Sequence, residues 1–233
     1  MAELAYRTAL IVGVGAGLSA SLARTLHKAG LRVALAARRG GELAALAAET
    51  GGKAFACDAT ARAEVAKLFA DVEGELGAPD VVIYNASYRT RGPFIDLDPD
   101  EVAKSINVTA YGGFLIAQEA IKRMTPRGHG AVLFTGASAS VKAYAQSAPF
   151  AMGKFALRGL AQSMARELSP QGIHVAHVVI DGGIRSARRS DPPDRPDSTL
   201  DPDAIAQTYL DLLRQPRSAW SWEIELRPWV ERF

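Results

Sequence analysis

Thr8-Ala9-Leu10-Ile11-Val12-Gly13-Val14-Gly15-Ala16-Gly17-Leu18-Ser19 decides the fold. A run of aliphatic and β-branched residues passes through three alternating glycines into a helix-forming stretch, the pattern of a buried strand turning sharply into a helix. Such a turn aims free backbone N–H groups and the positive end of the helix dipole at one point, and glycine lets a phosphate come close to the main chain. The spacing departs from G-x-G-x-x-G, since Leu18 stands where the third glycine would be. Gly13, Gly15, Gly17 and Leu18 are the candidate phosphate-binding residues.

Outward from this turn, short aliphatic runs alternate with longer helical patterns. Residues 8–14, 32–37, 53–57, 80–84, 131–135 and 174–180 read as strands buried on both faces, and 222–227 alternates well enough for a last one. Helical patterns over 18–29, 42–49 and 61–76 each end at glycine, at Gly30, Gly51 and Gly77. Asp98-Pro99-Asp100-Glu101 supplies an N-cap, a proline at the first helical position and first-turn acids, predicting a helix that runs unbroken to about Met124. Another helix covers 150–168, and Asp201-Pro202-Asp203 caps a final one. Strict β-then-α repetition implies an α/β fold: a doubly wound, Rossmann-type parallel sheet of about seven strands with helices on both faces. Residues 1–233 are expected to form one domain. Between 184 and 200 there is little to bury, which predicts a mobile loop, either a solvated excursion or a substrate lid.

Composition narrows the function classes. The formal net charge is +2, without a basic stripe, so nucleic acid is not an expected partner. Cys57 is the only cysteine, which rules out an intrachain disulfide and suits a reducing, cytoplasmic setting. No apolar run approaches the ~18 residues of a spanning helix, so no membrane partner is expected. His174 and His177, three apart on a strand, point to opposite faces and cannot share a metal; no metal is expected. No nucleophile elbow surrounds Ser138, which leaves hydrolase chemistry without support.

The end of the second strand, Ala36-Ala37-Arg38-Arg39, carries the cofactor preference. An acid here holds the ribose 2′-hydroxyl of NAD, whereas a cation holds the 2′-phosphate of NADP. Arg38 has the fixed charge and fork geometry for a phosphate monoester, and no acid follows before Glu42. NADP(H) is preferred, with NAD(H) still admissible.

From Thr8 to about Gly183 the chain resembles the short-chain dehydrogenase/reductase family, whose motifs line up in order. Gly13 and Gly17 match Gly-x-x-x-Gly-x-Gly, with Ser19 at the last glycine. Cys57-Asp58 resembles the strand-three aspartate that contacts adenine, and Tyr84-Asn85-Ala86-Ser87 resembles Asn-Asn-Ala-Gly. Asn107 matches the asparagine that holds a water for the active-site lysine, Ser138 the catalytic serine, and Asp181-Gly182 the usual Pro-Gly. The resemblance implies that Asp58, Asn85 and Lys154 join the glycines and Arg38 in holding the cofactor. It also implies a small-molecule substrate and a homo-dimer or homo-tetramer, for which Trp220, Trp222 and Trp229 offer an apolar patch.

Phe150-Ala151-Met152-Gly153-Lys154 departs from the family pattern Tyr-x-x-x-Lys. The tyrosine of that pattern moves the carbonyl proton while the nicotinamide moves a hydride; Phe150 has no hydroxyl to do so. Two classes follow. One is an oxidoreductase acting on a carbonyl, hydroxyl or activated C=C, with Asn107, Ser138, Lys154 and either Tyr144 or a lysine-bound water in catalytic roles; members resembling dienoyl-thioester reductases also lack the tyrosine. The other is a catalytically weak nucleotide-binding sensor or regulatory protein.

Overall fold

A computed structural model describes residues 4–231. Seven parallel strands form one sheet in the order β3-β2-β1-β4-β5-β6-β7. They are β1 (Thr8–Val12), β2 (Arg32–Ala37), β3 (Lys53–Ala56), β4 (Val81–Tyr84), β5 (Gly130–Thr135), β6 (Ile173–Ile180) and β7 (Glu223–Leu226). Parallel neighbours need long crossovers, and the helices occupy them. These are α1 (Leu18–Lys28), α2 (Ala44–Glu49), α3 (Arg62–Leu76), α4 (Pro99–Ile106), α5 (Gly112–Met124), α6 (Ala148–Leu168) and α7 (Pro202–Arg214).

Successive strand residues belong alternately to two cores, as a period of two requires. Leu10 and Val12 join the core under α3, α5 and α6, while Ala9 and Ile11 join the one under α1 and α7. His174 and His177 likewise face opposite ways: the first stacks on Trp220 and the second reaches Glu223. β3 departs from the doubly buried reading; it is the sheet's edge and mostly exposed, with Lys53 paired to Glu75 across to α3.

The two capped helices begin as expected. Asp98 accepts from the Asp100 N–H at 2.9 Å and Asp201 from the Asp203 N–H at 2.8 Å. The helix predicted to run unbroken to Met124 does not. Residues Asn107–Tyr111 form a π-helical turn between α4 and α5. There the Tyr84 hydroxyl donates to the Val108 carbonyl at 2.5 Å. A Cβ on Gly112 would meet that hydroxyl at 2.5 Å, and one on Gly113 would meet Leu157 at 2.7 Å, so contact with β4 and α6 shapes the break.

The 184–200 loop and the tryptophans each make contacts that residue type alone does not show. The 184–200 segment is largely exposed but tied to itself: Ile184 pairs with Leu200, and the Asp191 carboxylate accepts from the Thr199 N–H and hydroxyl at 2.8 and 2.6 Å. Trp220 is stacked on His174 and Trp222 packs against the core under Arg158, so only Trp229 stands free. Exposed apolar side chains stand elsewhere: Tyr111 and Phe114 stack at the start of α5, Met152 and Phe155 lie on α6, and Phe94 and Ile95 precede α4.

His177 makes the fold sensitive to acid. It is fully buried, and burial pushes its pKa down to about 4, against the pull of Glu223. Arg158 already holds both oxygens of that carboxylate, at 2.6 and 2.7 Å. Between pH 6.5 and 4 the unfolded chain therefore binds a proton that the folded chain refuses, so stability falls as pH falls through this window. The loss should reach about 2 kcal/mol by pH 5, and urea melts from pH 7 to 5 measure it. A flat profile over that range would remove His177 as the cause.

Candidate functional site

The sheet order reverses between β1 and β4, and a crevice opens at their carboxyl ends. Gly13, at φ +87°, closes the turn after β1; a Cβ there would lie 2.4 Å from the Ala86 nitrogen, so only glycine lets the turn approach β4 this closely. Gly17, the N-cap of α1, contributes no side-chain cap, which leaves the first N–H groups of the helix to a ligand. At Gly15 and Gly17 an added Cβ would meet no protein atom within 4 Å, and both residues border the open crevice. Ser19, at the third glycine of the family pattern, is buried. It donates to the Gly13 carbonyl at 3.1 Å and accepts from the Asn85 side chain at 2.6 Å, which ties the turn to β4.

Two cavities extend from this point and share Gly13. The first, about 430 Å³, runs toward β2 and β3 and is bordered by Arg38, Asp58 and Thr60. Arg39 pairs with Glu42 at 2.8 Å, whereas Arg38 has no carboxylate within ion-pair distance. Asp58 accepts from the Thr60 N–H and hydroxyl at 2.8 and 2.7 Å, bonds that hold its carboxyl below the usual range.

The second cavity, about 380 Å³, runs toward β5 and α6 and brings together Gly15, Gly17, Leu18, Asn85, Phe150 and Lys154. Lys154 is buried and donates to the Thr135 carbonyl at 2.6 Å. Burial, with a smaller push from Arg89, lowers its pKa to about 7. Its proton is therefore held far less tightly than that of an exposed lysine. The helical period carries Phe150 one turn before Lys154 on α6. Its ring lies 4.1 Å from the Arg89 guanidinium and 5.7 Å from the Lys154 nitrogen.

A third cavity, about 330 Å³, lies beyond Phe150 and contains Ser138 and Tyr144 together. Ser138 begins a single helical turn after β5, and Tyr144 is half exposed on the loop leading to α6. Asn107 is not brought to these walls. It starts the π-helical turn, is exposed, and makes no side-chain hydrogen bond. The π-helical turn reaches α6 at Gly153 instead, where a Cβ would stand 2.8 Å from Thr109.

Sequence reasoning missed Ser19 as a tether and passed over Arg89, Arg91 and Arg189, which all border the third cavity. Arg89 and Arg91 follow the end of β4, a position with a ligand-binding bias, but nothing local marks which way they point. Arg189 sits in the segment read as either a solvated excursion or a substrate lid.

Among the described residues no helix is long and apolar enough to cross a membrane, and no three His, Cys, Asp or Glu side chains could hold a metal. The short chain dehydrogenase family model matches residues 7–192. An uncharacterised oxidoreductase of Staphylococcus aureus is 28% identical over 98% of this chain and 100% of its own. A crystal structure of a short-chain dehydrogenase from Rhodopseudomonas palustris superposes with a TM-score of 0.82 at 34% identity, covering 96% of this chain and 99% of its own. A metagenomic short-chain oxidoreductase in complex with NADP superposes at 0.83 with 27% identity, covering 97% and 99%.

Proposed function

This chain belongs to the short-chain dehydrogenase family of oxidoreductases, and on that premise we propose that it is an NADP(H)-dependent enzyme acting on a carbonyl, hydroxyl or activated C=C of a small molecule. The observation that carries the proposal is the run of cavities from Arg38 through Gly13 to Lys154. The uncapped start of α1 and the open space beside Gly15 and Gly17 fit a pyrophosphate, and the unpaired Arg38 fits a 2′-phosphate. NADP in the metagenomic relative supports the same choice. Asp58 would border the adenosine, with Asn85 and Lys154 at the nicotinamide end.

A bound nicotinamide nucleotide supplies or accepts the hydride. The protein's own part is to position the substrate and move a proton. Ser138 orients a carbonyl oxygen from the outer cavity. Lys154, with its pKa near 7, holds a proton that a water can relay past Phe150, and Tyr144 offers a second hydroxyl from the loop. Asn107 supports the π-helical turn behind Gly153 and through it the placement of α6. The chain works as one domain over 1–233, with the 184–200 loop bordering the cavities through Arg189.

The test is a fluorescence titration with NADPH followed by a turnover screen on ketones, aldehydes and enones. Saturable binding with turnover of at least one class is expected. Absence of nucleotide binding would overturn the proposal; binding without any turnover would leave the sensor reading in its place.

The protein is expected to work in the cytoplasm as a homo-dimer or homo-tetramer, joined through the apolar side chains at Tyr111, Phe114 and Phe155. Light scattering of wild type and Phe114→Glu should show the larger species in the first and a monomer in the second. A stable wild-type monomer at micromolar concentration would refute the assembly.

A further inference from the structure

Arg89, Arg91 and Arg189 reach the outer cavity from two separate segments, the loop after β4 and the loop before α7. None has a carboxylate within ion-pair distance, although exposed arginines elsewhere, such as Arg24 and Arg185, have found one. Asp181, a buried acid between the cavity residues Ile180 and Gly182, is already held by Lys142 at 3.0 Å and Arg227 at 3.1 Å. Three like charges around one cavity repel one another, and the repulsion is felt: Arg91 and Arg189 add to burial in lowering the pKa of Arg89. Arg89 sits over the Phe150 ring, 4.1 Å from its centroid, a contact that engages none of its N–H donors with an acceptor side chain and leaves them for a planar or tetrahedral oxyanion. Ser138 and Tyr144 add neutral hydroxyl donors to the same walls, and α6, twenty-one residues long, starts beside them at Ala148.

We propose that the substrate carries an anionic group, a carboxylate or a phosphate, which Arg89, Arg91 and Arg189 hold in the outer cavity while its reacting carbon faces Phe150 and Lys154. This assignment rests on the oxidoreductase reading above for the reacting carbon, but the anion site itself can be measured without turnover. Arg89 and Arg189 also border the inner cavity, so the rival for their charge is the phosphate of the cofactor; Arg91 borders the outer cavity alone.

Calorimetric titration of the full chain, with and without saturating NADPH, uses benzoate, phenyl phosphate and the neutral methyl benzoate as probes. At least one anion should bind roughly tenfold or more tightly than the ester, the scale of a charge-assisted contact. Which anion does so separates a carboxylate substrate from a phosphorylated one. Added salt should weaken the anions and spare the ester. Arg91→Gln should erase most of the difference and leave NADPH affinity unchanged. Equal binding of ester and anions, or an Arg91→Gln variant that loses NADPH while keeping the anion preference, would overturn the proposal. A chain that prefers the anions yet binds no NADPH would keep the anion site and remove the oxidoreductase reading instead.

Discussion

Phe150→Tyr is expected to raise the rate of ketone reduction by roughly 10²-fold or more, the usual scale of a well-placed general acid. The ring already lies near two basic groups, 4.1 Å from the Arg89 guanidinium and 5.7 Å from the Lys154 nitrogen. A phenolic hydroxyl on it would therefore be acidified by its surroundings. Phe150 borders both the inner and the outer cavity, so the added oxygen has open space and polar neighbours rather than a dry core. Kinetics of wild type, Phe150→Tyr and the double variant Phe150→Tyr/Lys154→Ala on one ketone panel decide the matter. The gain should appear in the single variant and vanish in the double one. A wild type that turns over faster than its tyrosine variant would mean that Phe150 serves a different chemistry, with C=C reduction or proton supply from Tyr144 as its form. The pH profile adds an independent reading: proton supply from Lys154 predicts that wild-type reduction falls as pH rises through about 7.

Arg38→Ala should weaken NADPH binding by about ten- to a hundredfold, the equivalent of ~1.5–3 kcal/mol for a hydrogen bond to a charged group, and leave NADH binding nearly unchanged. Arg38 is singled out from its neighbour by the ion pair between Arg39 and Glu42. That pair is exposed and weak, but it gives Arg39 a competing partner that Arg38 lacks. Asp58 is negative, borders the same cavity and feels the Arg38 charge, but it makes no ion pair with Arg38, and one of its oxygens takes both bonds from Thr60. Parallel fluorescence titrations with NADPH and NADH measure the effect. Equal affinities of wild type for the two nucleotides would sink the assignment of Arg38 to a 2′-phosphate.

Most of the fold was legible because its signals are local. Seven strands and the helix starts at Pro99 and Pro202 follow from aliphatic runs, capping aspartates and terminal glycines, each of which acts within a few residues. The break in the predicted long helix was not legible. It depends on the Tyr84 hydroxyl taking the Val108 carbonyl across 24 residues, and on Gly112 and Gly113 meeting β4 and α6. The edge position of β3 was hidden for the same reason, since strand order is a property of pairing and not of composition.

In the candidate site, residue types at set spacings pointed to the glycine turn, Arg38, Asn85, Ser138, Lys154 and the phenylalanine at position 150, which the structure places along the neighbouring cavities. By itself the sequence determined a doubly wound sheet with a glycine-rich turn after its first strand, because strand, turn and helix preferences are written in the residues that adopt them. Only the tertiary structure decided that Ser19 ties Gly13 to Asn85, that burial brings Lys154 to a pKa of about 7, and that three arginines from two loops converge beyond Phe150. Such features depend on desolvation and on distances between segments far apart in the chain, and a list of residues carries neither.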